Sequence, residues 1–247
     1  MKLTLAEPSY LKDSITIISE LVNEARFKIT KDAMELVAMD PANVAMVIFK
    51  LLSSAFTEYN IKEEVEIAIN LSNLKQILKR AKSNDMVSLE LEDNKLKIQL
   101  KSNTIRTFNL PIIELEEKEQ KIPDLKFPVN ITLPCSLLFE SVDDASIVAE
   151  SLAFEAEPKK LNITAQGDLS QVKVEIKEDD NVKIVVDSSS KVRSKYSIEY
   201  LKKMVGASKL SENVNIKFNK DYPLKLEYKE LDKLTLIFIL APRVEND

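Results

Sequence analysis

The chain has no histidine, one cysteine and two glycines in 247 residues. Each shortage removes a class of chemistry. Without histidine there is no Ser-His-Asp or Cys-His nucleophile system and no imidazole metal site. A single cysteine, Cys135, excludes an intrachain disulfide framework and a cysteine-based zinc site. Gly167 and Gly206 are too few to write a P-loop or a dinucleotide loop, both of which need several glycines where backbone approaches phosphate. No apolar run is long enough to span a bilayer. The opening Met1 to Pro8 breaks too soon for the apolar core of a secretory signal, so the chain is expected to be cytoplasmic. Acids are plentiful, 40 Asp and Glu against 35 Lys and Arg for a net charge of -5, so carboxylate-only catalysis stays open. The acids fall in runs such as Glu114 to Glu119 and Glu178-Asp179-Asp180, however, which is the pattern of solvated surface. The expectation is a binding protein without metal or cofactor, not an enzyme.

What the chain does contain is a repeat of pattern about 127 residues long. Leu74 to Leu78 falls opposite Leu201 to Val205, and Val87-Leu89-Leu91 opposite Val214-Ile216-Phe218. Leu96 and Ile98 fall opposite Leu224 and Leu226, Phe108 and Leu110 opposite Phe238 and Leu240, and Met34, Leu36 and Ala38 opposite Leu161, Ile163 and Ala165. Alternation in one strand matches easily by chance. Matching segments in the same order, with offsets drifting by only a few residues, do not. A repeat this long is a domain, so the chain is a pair of similar domains and not a solenoid.

Within each half, period-two alternation dominates and short helices interrupt it. Helical spacing predicts helices over 9–24, 72–82, 136–149 and 197–205, with Ser72 as a plausible N-cap of the second. Turns use Asn, Asp and Lys in place of glycine, as in Glu92-Asp93-Asn94-Lys95 and Asn219-Lys220-Asp221-Tyr222. Two helices per half over mostly antiparallel strands give an α+β class. Between the halves, Glu114 to Lys121 is almost wholly charged, and Ile122-Pro123-Asp124-Leu125-Lys126-Phe127-Pro128 follows. The expected organisation is a first domain at 1–114, a connecting loop at 115–128 and a second domain at 129–247. Ile122, Pro123, Leu125 and Phe127 are apolar anchors that a simple tether does not need, so the loop is expected to lie down on the body or help form a groove.

Ala33-Met34-Glu35-Leu36-Val37-Ala38-Met39-Asp40-Pro41-Ala42-Asn43-Val44-Ala45-Met46-Val47 resembles the strand–loop–strand signature of the sliding clamp family of proliferating cell nuclear antigen. Asn70 to Ala81 resembles that family's second helix, and Pro223 to Tyr228 and Leu240-Ala241-Pro242-Arg243-Val244-Glu245 resemble its C-terminal strands. The resemblance runs end to end, and its ending and scarcity of glycine are most similar to archaeal members. It implies the DNA clamp fold: sheets outside, two helices per domain on the inner face, and three chains closing a six-sector ring on duplex DNA. It also implies a processivity factor in replication and repair that serves a clamp loader, DNA polymerase, flap endonuclease and DNA ligase. A homotrimer is the expectation; a heterotrimeric clamp, or a two-domain scaffold that never encircles DNA, is the alternative.

Three sets of residues follow. Inner-face cations that meet phosphate without reading bases are expected at Lys12, Lys75, Lys79, Arg80, Lys82, Lys202, Lys203 and Lys209. The helix around Phe139 to Ala149 carries Glu140, Asp143 and Asp144 and no Lys or Arg, so the grip is expected to be uneven. The resemblance places a client groove at Met39, Asn43, Val44, Met46, Ile122, Pro123, Phe127, Pro223, Ala241, Pro242 and Arg243, where flexible methionine suits many clients. It places the subunit interface on Thr104, Arg106, Phe108 and Leu110 of one chain and Val172, Val174 and Ile176 of the next.

Overall fold

The alternating segments become strands because each has one apolar face to bury, and the two halves build the same series. The computed structural model describes residues 1–115, 120–188 and 190–244. Part of the acidic run, 116–119, and Glu245 of the C-terminal motif lie outside the described residues. The first series is β1 (Lys2–Leu5), α1 (Ser9–Ile18), β2 (Glu24–Ile29), β3 (Ala33–Met39), β4 (Ala45–Leu52), β5 (Glu58–Asn60), β6 (Val65–Asn70), α2 (Leu71–Leu78), β7 (Met86–Glu92), β8 (Lys95–Lys101) and β9 (Ile105–Pro111). The second is β10 (Val129–Pro134), α3 (Cys135–Val148), β11 (Ser151–Glu157), β12 (Lys160–Gln166), β13 (Gln171–Lys177), β14 (Lys183–Val186), β15 (Val192–Ser197), α4 (Ile198–Val205), β16 (Asn213–Phe218), β17 (Leu224–Glu230) and β18 (Leu234–Leu240).

The strand orders repeat as well. In the first series the orders are β5-β1-β7-β8-β9 and β6-β2-β3-β4; in the second they are β14-β10-β16-β17-β18 and β15-β11-β12-β13. Every registered pairing is antiparallel. By proximity the chain divides into two units. The first holds Met1–Pro41, Val47–Ile122 and Glu230–Leu236; the second holds Ala42–Met46, Pro123–Lys229 and Ile237 onward. The first unit buries Leu3, Leu5, Leu11, Ile15, Val87 and Ile98 under α1 and α2, with Phe27 edge-on to Phe49. The second buries Ile131, Leu138, Val142, Leu201, Met204 and Ile216, with Phe154 tilted against both Tyr196 and Phe218. Each such side chain contributes about 1.5–3 kcal/mol by leaving water.

The helices stop where side-chain pattern alone does not say. α1 ends at Ile18 and not at residue 24, because the Glu20 and Leu21 N–H groups bond three residues back, to Ile17 and Ile18, and tighten the turn. Leu21 and Val22 are still buried, from the turn and not from a helix face. The second helix is capped by Asn70, whose side chain accepts the Asn73 N–H at 3.0 Å; Ser72 lies inside the first turn instead of capping it. It ends at Leu78, so Arg80 and Lys82 lie in the turn beyond it.

Left-handed backbone is carried without glycine. Asp93 and Asn94 both have positive φ, the geometry of a two-residue hairpin turn, and Asn43, Lys159, Asp221 and Asp232 also do. Gly167 serves a different need: a Cβ there would sit 2.3 Å from the Val148 carbonyl oxygen, so only glycine lets the β12–β13 hairpin reach the end of α3.

Candidate nucleic-acid and partner interfaces

In the first unit α1 packs on α2, and in the second α3 packs on α4, so the predicted cations lie on these paired helices or in the turns that follow them. They are not equivalent. Lys79, Arg80 and Lys82 are exposed at the C-terminal end of α2. Lys75 is drawn back to Glu20 at 2.5 Å and its side chain is only 19% exposed. Lys12 donates to the Ala81 carbonyl at 3.1 Å. In the second unit, Lys209 is exposed, while Lys203 bonds Glu199 at 2.9 Å and lies 5.2 Å from the Tyr200 ring centre. Lys202 reaches Asp143 at 3.6 Å and the Ser146 hydroxyl at 3.3 Å, so α3 partly neutralises α4. Exposed pairs of this kind are worth about 0–1 kcal/mol, which a phosphate has to displace, so a paired lysine contributes less to an anion site than a free one.

Asp85 is a participant that sequence reasoning missed. It is wholly buried, its carboxylate accepts the Lys82 N–H at 3.0 Å, and it pairs with Arg106 of β9. The Lys82 N–H first, then the Ser102 hydroxyl and the Arg106 charge, hold its carboxyl below the usual carboxylate range. In sequence it is one acid in a turn, with no spacing that marks it.

All of the residues named for the subunit interface except Thr104 fall on two edge strands. β9 ends one sheet of the first unit and β13 ends one sheet of the second. Phe108, Val172 and Val174 are half-buried, Leu110 and Ile176 are buried, and Arg106 points back to Asp85 and the Arg80 carbonyl. Thr104 lies in the turn before β9, its carbonyl accepting the Ser102 N–H. The strands equivalent to β9 and β13 in the other repeat are β18 and β4, which are sheet neighbours. Hydrogen bonds flanking that pair run from Leu52 N–H to the Lys233 carbonyl inside the first unit and from Ala241 N–H to the Val44 carbonyl inside the second, at 2.8 and 2.9 Å.

Among the groove residues, the second unit brings Val44 to Ala241 by that bond, and Arg243 to β15 through its N–H on the Lys195 carbonyl at 2.7 Å. Phe127 stands edge-on to Tyr222, next to Pro223, with ring centres 5.9 Å apart, and the Tyr222 carbonyl accepts the Tyr196 hydroxyl at 2.7 Å. Asn43, Pro123 and Arg243 are exposed, and Val44, Pro223, Ala241 and Pro242 half-buried. Met46 is 5% exposed, a core side chain and not groove lining: Ala45, Met46 and Val47 are buried in succession, so both faces of β4 are covered at this point. In the first unit, Met39 lines a groove of about 630 Å³ with Ala25, Arg26, Val37, Leu115 and Gln120. The Arg26 guanidinium donates to the Leu115 carbonyl at 2.9 Å and the Ile113 N–H to the Ala68 carbonyl at 2.9 Å, so the connector begins by lying on its own unit. Ile122 is 54% exposed.

Two family models divide the chain: the N-terminal domain of proliferating cell nuclear antigen matches residues 1–120 and its C-terminal domain residues 121–243. The chain is 41% identical to the DNA polymerase sliding clamp of Nanoarchaeum equitans over 98% of its own length and 99% of that protein. It is 35% identical to the one from Pyrococcus abyssi, with 94% of each covered. Among solved structures, proliferating cell nuclear antigen of Thermococcus kodakaraensis superposes with a TM-score of 0.91 at 28% identity, covering 98% of this chain and 99% of that one. The Entamoeba histolytica protein gives the same TM-score at 20% identity, a likeness of fold. With both domains matched in order, the strand series duplicated and the clamp fold shared, this chain belongs to the sliding clamp family of proliferating cell nuclear antigen.

Proposed function

We propose that three copies of this chain close into a ring around duplex DNA and that the ring tethers DNA polymerase and other replication and repair enzymes to the template. The observation that carries this reading is the unequal fate of equivalent strands. β18 finds β4 within the chain, while β9 and β13, their counterparts under the repeat, are left as edges. An unpaired edge is a template for another strand. Head-to-tail pairing of β9 on β13 repeats a geometry the chain already makes, and a heterologous contact closes when its rotation fits. Three chains of two repeats then give six near-equivalent sectors. The nine-strand, two-helix plan of each repeat supports this. A ring acting on DNA works in the cytoplasm of a cell without a nucleus.

Two measurements test the assembly. Sedimentation of the pure protein should give the mass of three chains, and the protein loaded on circular DNA should be retained until the circle is cut. A stable monomer, or equal retention on circular and linear DNA, defeats the ring.

The inner face in this reading is a set of cations of unequal reach. Among the described residues Lys79, Arg80 and Lys82 make no ion pair, whereas Lys75 and Lys202 each make one. Lys79→Ala should lower the slope of log affinity against log salt by about 0.9, the value for one phosphate neutralised, with Lys202→Ala lowering it less and Lys75→Ala least. Titration on duplex DNA over a range of salt checks this; equal slopes for wild type and Lys79→Ala would remove Lys79 from the DNA face.

A further inference from the structure

The turn that follows α2 is held by two cations from other elements. Its carbonyls lie beyond the helix ladder, beside the negative end of the helix dipole. Here the Ala81 carbonyl, in the turn after the helix, receives the Lys12 ammonium from α1 at 3.1 Å, and the Arg80 carbonyl receives the Arg106 guanidinium from β9 at 3.0 Å. The same guanidinium pairs with buried Asp85, which also accepts the Lys82 N–H, and the Asp85 N–H returns to the Lys82 carbonyl at 3.0 Å. The turn from Arg80 to Asp85 is therefore tied at one side to α1 and at the other to an edge strand.

We infer that Lys12 and Arg106 are positioning residues: with Asp85 they form a clasp that fixes the exposed Lys79, Arg80 and Lys82 relative to β9. Rather than meeting phosphate or a neighbouring subunit first, their charged heads terminate on backbone carbonyls. The chemistry selects cations for the place: a carbonyl pair in the turn beyond the helix takes a charge-assisted bond from Lys or Arg, and a buried carboxylate demands a counter-charge. Resting on the clamp reading, the clasp makes the ring-closing strand and the DNA-facing turn one body, so a displacement of β9 moves the cations that grip DNA.

The test uses the full-length protein with Lys12→Met and Arg106→Gln, and Lys12→Arg as the conservative control. Hydrogen exchange of the Arg80 to Asp85 amides is followed without DNA, alongside duplex DNA affinity at fixed salt. Exchange in that turn should rise tenfold or more in the Met and Gln variants, DNA affinity should fall severalfold with it, and Lys12→Arg should restore both. Unchanged exchange in the two variants overturns the clasp. Faster exchange with full DNA affinity overturns its positioning role. Wild-type protein that binds no duplex DNA defeats the clamp reading, while the exchange result still decides whether the clasp exists.

Discussion

Phe108→Asp and Val174→Asp should each convert the ring to monomers and abolish retention on circular DNA. Both side chains are half-buried in the single chain, on edge strands whose apolar rows stop at the last strand. Pairing β9 with β13 completes those rows. An apolar side chain that becomes fully buried contributes about 1.5–3 kcal/mol, and an unpaired carboxylate in its place adds a desolvation cost of its own. At 1.4 kcal/mol per factor of ten, each interface weakens by about a hundredfold or more, and a ring needs every interface at once. The fold should survive, because the cores beneath these strands rest on Leu100, Leu110, Leu161 and Ile176, which are buried without a partner. Sedimentation equilibrium with a circular dichroism control reads the result. A trimer that persists in both variants at wild-type concentration dependence would show that the edges meet nothing.

Ile122→Ser should weaken the binding of client peptides about tenfold or more while leaving folding stability within about 0.5 kcal/mol. The asymmetry follows from exposure: Ile122 keeps 54% of its surface in water, so the fold gains little from it and a partner can gain much. Phe127→Ala makes the opposite control, since Phe127 already packs edge-on to Tyr222 and its loss should disturb the second unit as well as any client. Calorimetric titration of a client peptide with apolar anchors, together with a thermal melt, separates the two. Unchanged peptide affinity in Ile122→Ser removes that residue from the groove.

Much of the fold was legible in the sequence because it is written in local periods. Alternation at spacing two placed Val87-Leu89, Val172-Val174-Ile176 and Val214-Ile216-Phe218 in strands, and Asp93-Asn94 and Asp221 marked turns through their tolerance of positive φ. Comparing the two halves showed the duplication. The family followed from motifs that lie contiguous in the chain, such as Met39 to Met46. Burial within that motif was harder to read: Met46 sits in the core because β4 is covered on both faces there, which alternation along one strand does not show.

By itself, then, the sequence determined the α+β class, the twofold repeat, the family and the supply of cations on the helices. Only the tertiary structure decided which cations remain available. Lys75 meets Glu20 across 55 positions, Lys12 meets Ala81 across 69, and Arg106 meets Asp85 across 21. It also decided that β9 and β13 are edges while β18 has a neighbour in β4. Secondary structure follows spacings of two to four residues, which a reader of the chain can see. Ion pairs and sheet edges depend on which distant segments the burial of apolar faces brings side by side, and no local pattern carries that information.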